Sequence, residues 1–104
     1  MNKKVLILSP HADDEILGCG GFISKYSKQN YYINVLILTN ANKGAPEKYS
    51  PEKIKDIRNE ARISNSFIGT KKLFFEDLPA LNLSNYPIYK IANIINRYIS
   101  EINP

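Results

Sequence analysis

The sequence is poor in the residues that most often carry chemistry. One cysteine, Cys19, and one histidine, His11, occur in 104 residues. A single cysteine cannot close an internal disulfide, which suits a reducing compartment and points to the cytoplasm. No stretch approaches the roughly 20 apolar residues of a membrane span. The apolar run after Lys3-Lys4 stops at Leu8, short of the roughly 7–15 residues in the core of a signal peptide. The 14 Lys and Arg residues outnumber the 10 Asp and Glu and give a net charge of +4. They are spread out, with no basic run interleaved with aromatics, which argues against a nucleic-acid partner. Internal repeats and linkers are also missing, so one domain is expected. With 43% hydrophobic and 23% charged residues, the composition is that of an ordinary globular chain.

What is present concentrates in residues 5–21. Four apolar residues, Val5 to Leu8, run into Pro10-His11-Ala12-Asp13-Asp14-Glu15 and then a glycine-punctuated segment. A strand without alternation is buried on both faces, the habit of parallel sheets. Ligands of open α/β sheets bind at the carboxyl ends of the strands, where His11 and the three acids fall. His11 and Asp14 are three residues apart and can converge on one metal ion, whereas Asp13 and Glu15 need other roles. A lone histidine beside carboxylates is ordinarily a surface hydrogen-bond partner, and acids at a helix start are favoured by the dipole.

The first strand is expected at Lys4–Leu8 and a helix from Asp13 or Asp14 to Lys28. Gly18, Gly20 and Gly21 suggest a helix pressed closely against the sheet, with Cys19 as a small buried apolar residue. A second strand spans Tyr32–Thr39, followed by a polar loop to Tyr49 in which Lys43 and Lys48 read as solvated. Ser50-Pro51-Glu52 marks a helix start, and Gly69 a helix stop after Phe67. Its apolar positions, Ile54, Ile57, Ala61, Ile63 and Phe67, fit helical spacing loosely. Leu73–Phe75 is a short third strand, and Glu76 to Pro87 a loop. Ile88, Ile91, Ile94, Ile95, Tyr98, Ile99 and Ile102 mark one face of a last helix, Pro87–Glu101. The order βαβαβα predicts an α/β, Rossmann-like fold with a three-layer parallel sheet and right-handed crossovers. Three strands and three helices are about half of a doubly wound domain, so the chain reads as a fragment or truncated product. The first strand is then left with an exposed edge that invites self-association.

Pro10-His11-Ala12-Asp13-Asp14-Glu15-Ile16-Leu17-Gly18-Cys19-Gly20-Gly21 resembles the signature of the LmbE-like, or PIG-L, family of zinc-dependent N-deacetylases. Leu38-Thr39-Asn40-Ala41 is similar to the end of that family's second strand. Arg58-Asn59-Glu60-Ala61 with Ile68-Gly69 resembles its arginine- and glutamate-bearing helix, and Phe75 to Leu83 a loop of its bacterial glycan-related branch. The resemblance implies hydrolysis of an N-acetyl group from an N-acetylglucosamine-type sugar or sugar conjugate, in glycan biosynthesis. His11 and Asp14 would be zinc ligands, Asp13 the general base toward a zinc-activated water, Glu15 a buried support for the turn and Arg58 a substrate contact. Residues 1–104 would form a single incomplete deacetylase domain, with its metal-site motif at 10–21.

Departures from the family pattern are Ala12 for proline, Asn40-Ala41 for Asp-Gly, and Ala80 where many members place a sugar-contacting aspartate, with Asp77 and Asn82 close by. The largest is the third zinc ligand, which the family draws from a later His-rich motif and this chain does not contain. Impaired catalysis is therefore expected, and a non-catalytic truncated domain is the main alternative. A receiver-like signalling module with magnesium at Asp13-Asp14 and Asp77 as phosphoacceptor leaves His11 and the glycines unexplained. A nucleotide-binding half-domain built on Gly18–Gly21 lacks the Gly-Lys-Ser/Thr of a phosphate loop.

Overall fold

The computed structural model describes residues 3–80 and 83–104. Three strands, β1 (Lys3–Ser9), β2 (Tyr31–Asn40) and β3 (Lys72–Pro79), alternate with three helices, α1 (Asp14–Ser27), α2 (Pro51–Ile68) and α3 (Ile88–Ile102). The strands are parallel in the order β1-β2-β3. The expected βαβαβα order and three-layer α/β architecture are therefore present, and β1 lies at a sheet edge. Among its exposed residues is Leu8, 43% exposed.

The centre of the molecule is β2, whose residues 33–39 are all buried. Alternate side chains feed two cores. Ile33, Val35 and Ile37 pack with Ile23 of α1 and Ala61 of α2. Leu36 and Leu38 pack with Leu78 and with Tyr98 of α3, on the opposite face. The helices thus change sides after β3, and the carboxyl ends of β1 and β2 face a common crevice.

Helix ends follow the local chemistry. Ser50 Oγ accepts the Lys53 N–H at 3.1 Å, with Pro51 in the first turn. At the other end of α2, Gly69 takes φ +109. A side chain there is excluded twice over, because an added Cβ would also overlap the Ser27 hydroxyl.

Several details differ from expectation. The glycines of α1 do not mark a close approach: Cβ atoms at Gly18 and Gly21 would meet nothing within 4 Å. The α2 stripe turned inward is Ile54, Ala61 and Asn65, while Ile63 and Phe67 are 71% and 90% exposed. On α3, Ile88 and Ile99 lie outside the packed stripe, being 80% and 44% exposed. β3 runs four residues past Phe75, through a bulge between the pairs Ile37↔Phe75 and Thr39↔Leu78. Glu76 is held there by Arg97 and the Tyr98 hydroxyl, and Asp77 by Arg58 and Asn40, so two acids read as loop residues are strand residues.

Gly69→Ala should lower stability by about 1–3 kcal/mol, the scale of a residue forced into a disfavoured backbone region. Gly18→Ala and Gly21→Ala should instead raise it by about 0.5–1 kcal/mol, since helix propensity is gained and no neighbour is met. Urea denaturation of the three variants tests both signs; a loss at Gly18 or Gly21 would restore the close-approach reading.

Candidate functional site

The turn between β1 and α1 is built by side chains that satisfy its backbone. Ser9, buried at the end of β1, donates its hydroxyl to the His11 carbonyl. Thr39 at the end of β2 donates to the Pro10 carbonyl at 2.7 Å. Asp14 Oδ2 accepts the His11 N–H at 3.0 Å, and the Asp14 N–H returns to the His11 carbonyl at 3.2 Å. Asp13 lies in the left-handed region, φ 81 and ψ −18, with its N–H given to Glu15 Oε1 at 3.0 Å.

This folding brings His11 and Asp14 together. The His11 Nδ1 lies 3.3 Å from Asp14 Oδ2, with the two side chains 55% and 45% exposed. The other ring nitrogen, Nε2, lies 3.4 Å from the Ala80 carbonyl. With Nε2–H donating there, Nδ1 presents a lone pair to a carboxylate oxygen, an arrangement that a cation between them satisfies. Two ligands of one tetrahedral zinc, each at about 2.0–2.1 Å, lie roughly 3.3–3.4 Å apart. The pair therefore fits two corners of a zinc site. No group of three His, Cys, Asp or Glu side chains suited to a metal occurs among the described residues.

Glu15 is 1% exposed. Burial raises its pKa above the usual carboxylate value, opposed by the Asp13 N–H and by Asn65. Its Oε2 has no hydrogen-bond partner.

A cleft of about 640 Å³ opens between the turn and the loop after β2, with His11 and Asp13 on one wall and Lys48, Tyr49, Ile57 and Glu60 among the residues of the other. The loop is tied down by its own polar groups. Asn40 Oδ1 accepts the Asn42 N–H at 2.9 Å, and Asn42 Nδ2 donates to the Tyr49 carbonyl at 2.7 Å. From sequence, Tyr49 carries no role, Glu60 belongs only to a helix motif, and Lys48 reads as solvated. Counting from the Ser50 cap, Ile57 and Glu60 share a helix face, which was the available signal.

Arg58 turns to β3, donating to the Glu76 carbonyl at 2.9 Å and to Asp77 Oδ1 at 2.8 Å, with its guanidinium 4.8 Å from the Phe75 ring centroid. It lines a recess of about 60 Å³ beside His11 rather than the main cleft. Asn40 and Arg58 together hold the Asp77 carboxyl below the usual aspartate range, against a smaller opposing effect of burial. Asp77 is thus engaged in tying β3 to α2 and to the loop, a poor position for a phosphoacceptor. Asn82 lies outside the described residues.

Comparison with known proteins identifies the family. Residues 6–104 match the family described as PIG-L, GlcNAc-PI de-N-acetylase. The chain belongs to the PIG-L family. This PIG-L chain is 29% identical to the uncharacterized deacetylase YaiS of Escherichia coli, covering 93% of the chain and 51% of the relative. It is 26% identical to the 4-oxalmesaconate hydratase of Pseudomonas putida, covering 95% of the chain and 42% of that protein. The N,N'-diacetylchitobiose deacetylase of Pyrococcus horikoshii superposes with a TM-score of 0.64 at 29% identity, over 74% of this chain and 30% of that one. The PIG-L chain spans about half the length of the curated relatives it matches. No helix among the described residues is long and apolar enough to cross a membrane.

Asp77→Asn should destabilise the PIG-L chain at neutral pH. A carboxylate whose folded pKa is depressed contributes stability that is present above its unfolded pKa and lost as pH falls through the folded value. The gap between parent and variant should therefore close on acidification below the usual aspartate range. Thermal denaturation at a series of pH values tests this; a gap independent of pH would show that charge on Asp77 is unimportant.

Proposed function

We propose that the chain carries the metal-binding turn and general base of an N-deacetylase, an amide hydrolase acting on an N-acetylated amino sugar or sugar conjugate. The observation that carries the reading is the convergence of His11 and Asp14 at 3.3 Å beside a cleft that His11 and Asp13 line. The names of two relatives, both deacetylases, support the reaction class. Zinc bound by His11 and Asp14 would polarise the amide carbonyl and acidify the attacking water. Asp13, on the cleft wall, would be the general base toward that water. Glu15 fixes the turn from below through the Asp13 N–H. Ala80 orients the His11 ring through Nε2. Arg58 contacts substrate from the recess beside His11 with N–H groups that its bonds to Glu76 and Asp77 leave free.

Hydrolysis in this reading would release acetate and a free amine, as a step of glycan biosynthesis in the cytoplasm. In this reading, residues 1–104 are a single incomplete deacetylase domain. Catalytic zinc sites usually hold three protein ligands, so the 104-residue chain by itself holds zinc weakly and turns over slowly. The same two-ligand set favours the second reading, a non-catalytic domain.

Zinc calorimetry on this chain, beside a form lengthened to match its relatives, separates the two. Tight binding only by the longer form, abolished by His11→Ala, is expected; no binding by either form would overturn the metalloenzyme reading. In the longer form, Asp13→Asn should leave zinc content unchanged and slow amine release from an N-acetylated amino sugar by about 10²–10⁴-fold, the usual contribution of a general base. An unchanged rate would remove Asp13 from that role.

A further inference from the structure

The recess in which Arg58 stands has an opening that packing does not explain. Protein interiors keep few voids larger than a water molecule, because a wall with nothing against it loses its dispersion contacts. About 60 Å³ nevertheless stays open beside His11, the space of about two waters, whose share of the liquid is about 30 Å³ each. It is not sealed. Among the described residues, His11, Ala12, Ala41, Ile57 and Ala80 line both this recess and the larger cleft. The recess is thus a side chamber of the cleft, with the imidazole at its mouth.

Chamber and cleft differ in chemistry. Of the residues that line the chamber but not the cleft, Ile37 of β2, Ile54 of α2 and Phe75 of β3 are apolar, and both isoleucines are buried. The polar side chains there are engaged elsewhere. Thr39 donates to the Pro10 carbonyl, and Asn40 bonds Asp77 and the Asn42 N–H. Arg58 commits Nη2 to Glu76 and Asp77, with its guanidinium over the Phe75 ring. Ordered water needs about two to four polar partners, so these walls suit a short hydrocarbon group better. Asp13, Glu47, Lys48 and Glu60 line the cleft outside and supply acceptors and donors for hydroxyl groups. The division matches one kind of molecule, a hydroxyl-rich ring carrying a small apolar tail.

We propose that the chamber is the acyl subsite of the cleft, and that Ile37, Ile54 and Phe75 limit the acyl group to about two or three carbons. The proposal deepens the amide-hydrolase reading and rests on it for the identity of the group that enters. An acyl carbon in front of His11 leaves space beyond it for a methyl or ethyl end, about two groups of water size. A longer chain meets Ile54, which is buried. These three residues face the tail of the substrate and not the bond that breaks, so their part is to set specificity.

The subsite is tested on the 104-residue chain by NMR of its isoleucine δ1-methyl groups, without metal. The probes are glucosamines carrying N-acetyl, N-propionyl, N-butyryl and N-hexanoyl groups. The two shorter probes should give saturable shifts at Ile37, Ile54 and Ile57, and none at Ile63, which is 71% exposed. The N-hexanoyl probe should bind at least tenfold more weakly, since one misfitting methylene in an apolar pocket costs roughly 10–200-fold. Ile54→Ala should narrow that gap. Ile54→Val, which removes one methylene, should admit the N-butyryl probe and serves if the alanine variant does not fold. Equal binding of all four probes, shifts that miss Ile54, or no saturation with the N-acetyl probe overturns the subsite. Turnover of N-acetylglucosamine by the lengthened form without these shifts would remove the subsite and leave the deacetylase reading. Shifts with the chain-length limit but no turnover would remove the reaction and leave the chamber.

Discussion

The site depends on a requirement of the backbone at one place. Where the chain leaves β1, residues 10–13 run past a buried sheet end, and polar groups there must be hydrogen-bonded. The Ser9 and Thr39 hydroxyls take the His11 and Pro10 carbonyls, and Asp14 and Glu15 take the His11 and Asp13 N–H groups. Half of these partners are acids, and the two acids lead to opposite outcomes. Asp14 stays half-exposed and faces the imidazole, whereas Glu15 is drawn into the interior. Folding the turn and bringing His11 against Asp14 are the same event. A substitution at Asp14 removes the acceptor of the His11 N–H as well as the partner of the imidazole.

A second level of organisation ties the cleft walls to the sheet. Because β2 is buried from both sides, the ends of its neighbours are held at fixed height, and the loop after it closes on its own polar groups rather than on the core. Asp77 carries much of the coupling among the parts: it accepts from Asn40 at the loop and from Arg58 on α2, while its neighbour Glu76 bonds α3. The bulge in β3 falls at these two residues. Its extra residue lets the strand continue to Pro79 and leads directly to Ala80, whose carbonyl reaches the imidazole ring.

The parallel strands were legible because runs such as Val35-Leu36-Ile37-Leu38 leave no solvent face, and α2 because its serine cap, proline and terminal glycine are local signals acting within a few residues. The convergence of His11 and Asp14 was legible too, since a spacing of three across a helix start has few geometric outcomes. Misreadings came where a local signal has two causes. Glycine lowers helix propensity whether or not a neighbour presses on it, and Gly18 and Gly21 face open space. Ile63 and Phe67 are apolar but point away from the sheet, because burial on α2 goes to the stripe that meets α1 and β2, and that stripe includes Asn65.

By itself, the sequence determined the element order, the parallel sheet, and the meeting of His11 and Asp14 beside Asp13 in one turn, because each follows from interactions among residues close in the chain. Only the tertiary structure decided that Arg58 turns to Asp77, that the Ala80 carbonyl reaches His11, and that Tyr49 and Glu60 face the cleft. Those contacts join residues 19 to 69 positions apart or face one element toward another. Their partners are selected by sheet order, by the bulge and by the angle at which helices meet the sheet, none of which leaves a periodic trace in the residues themselves.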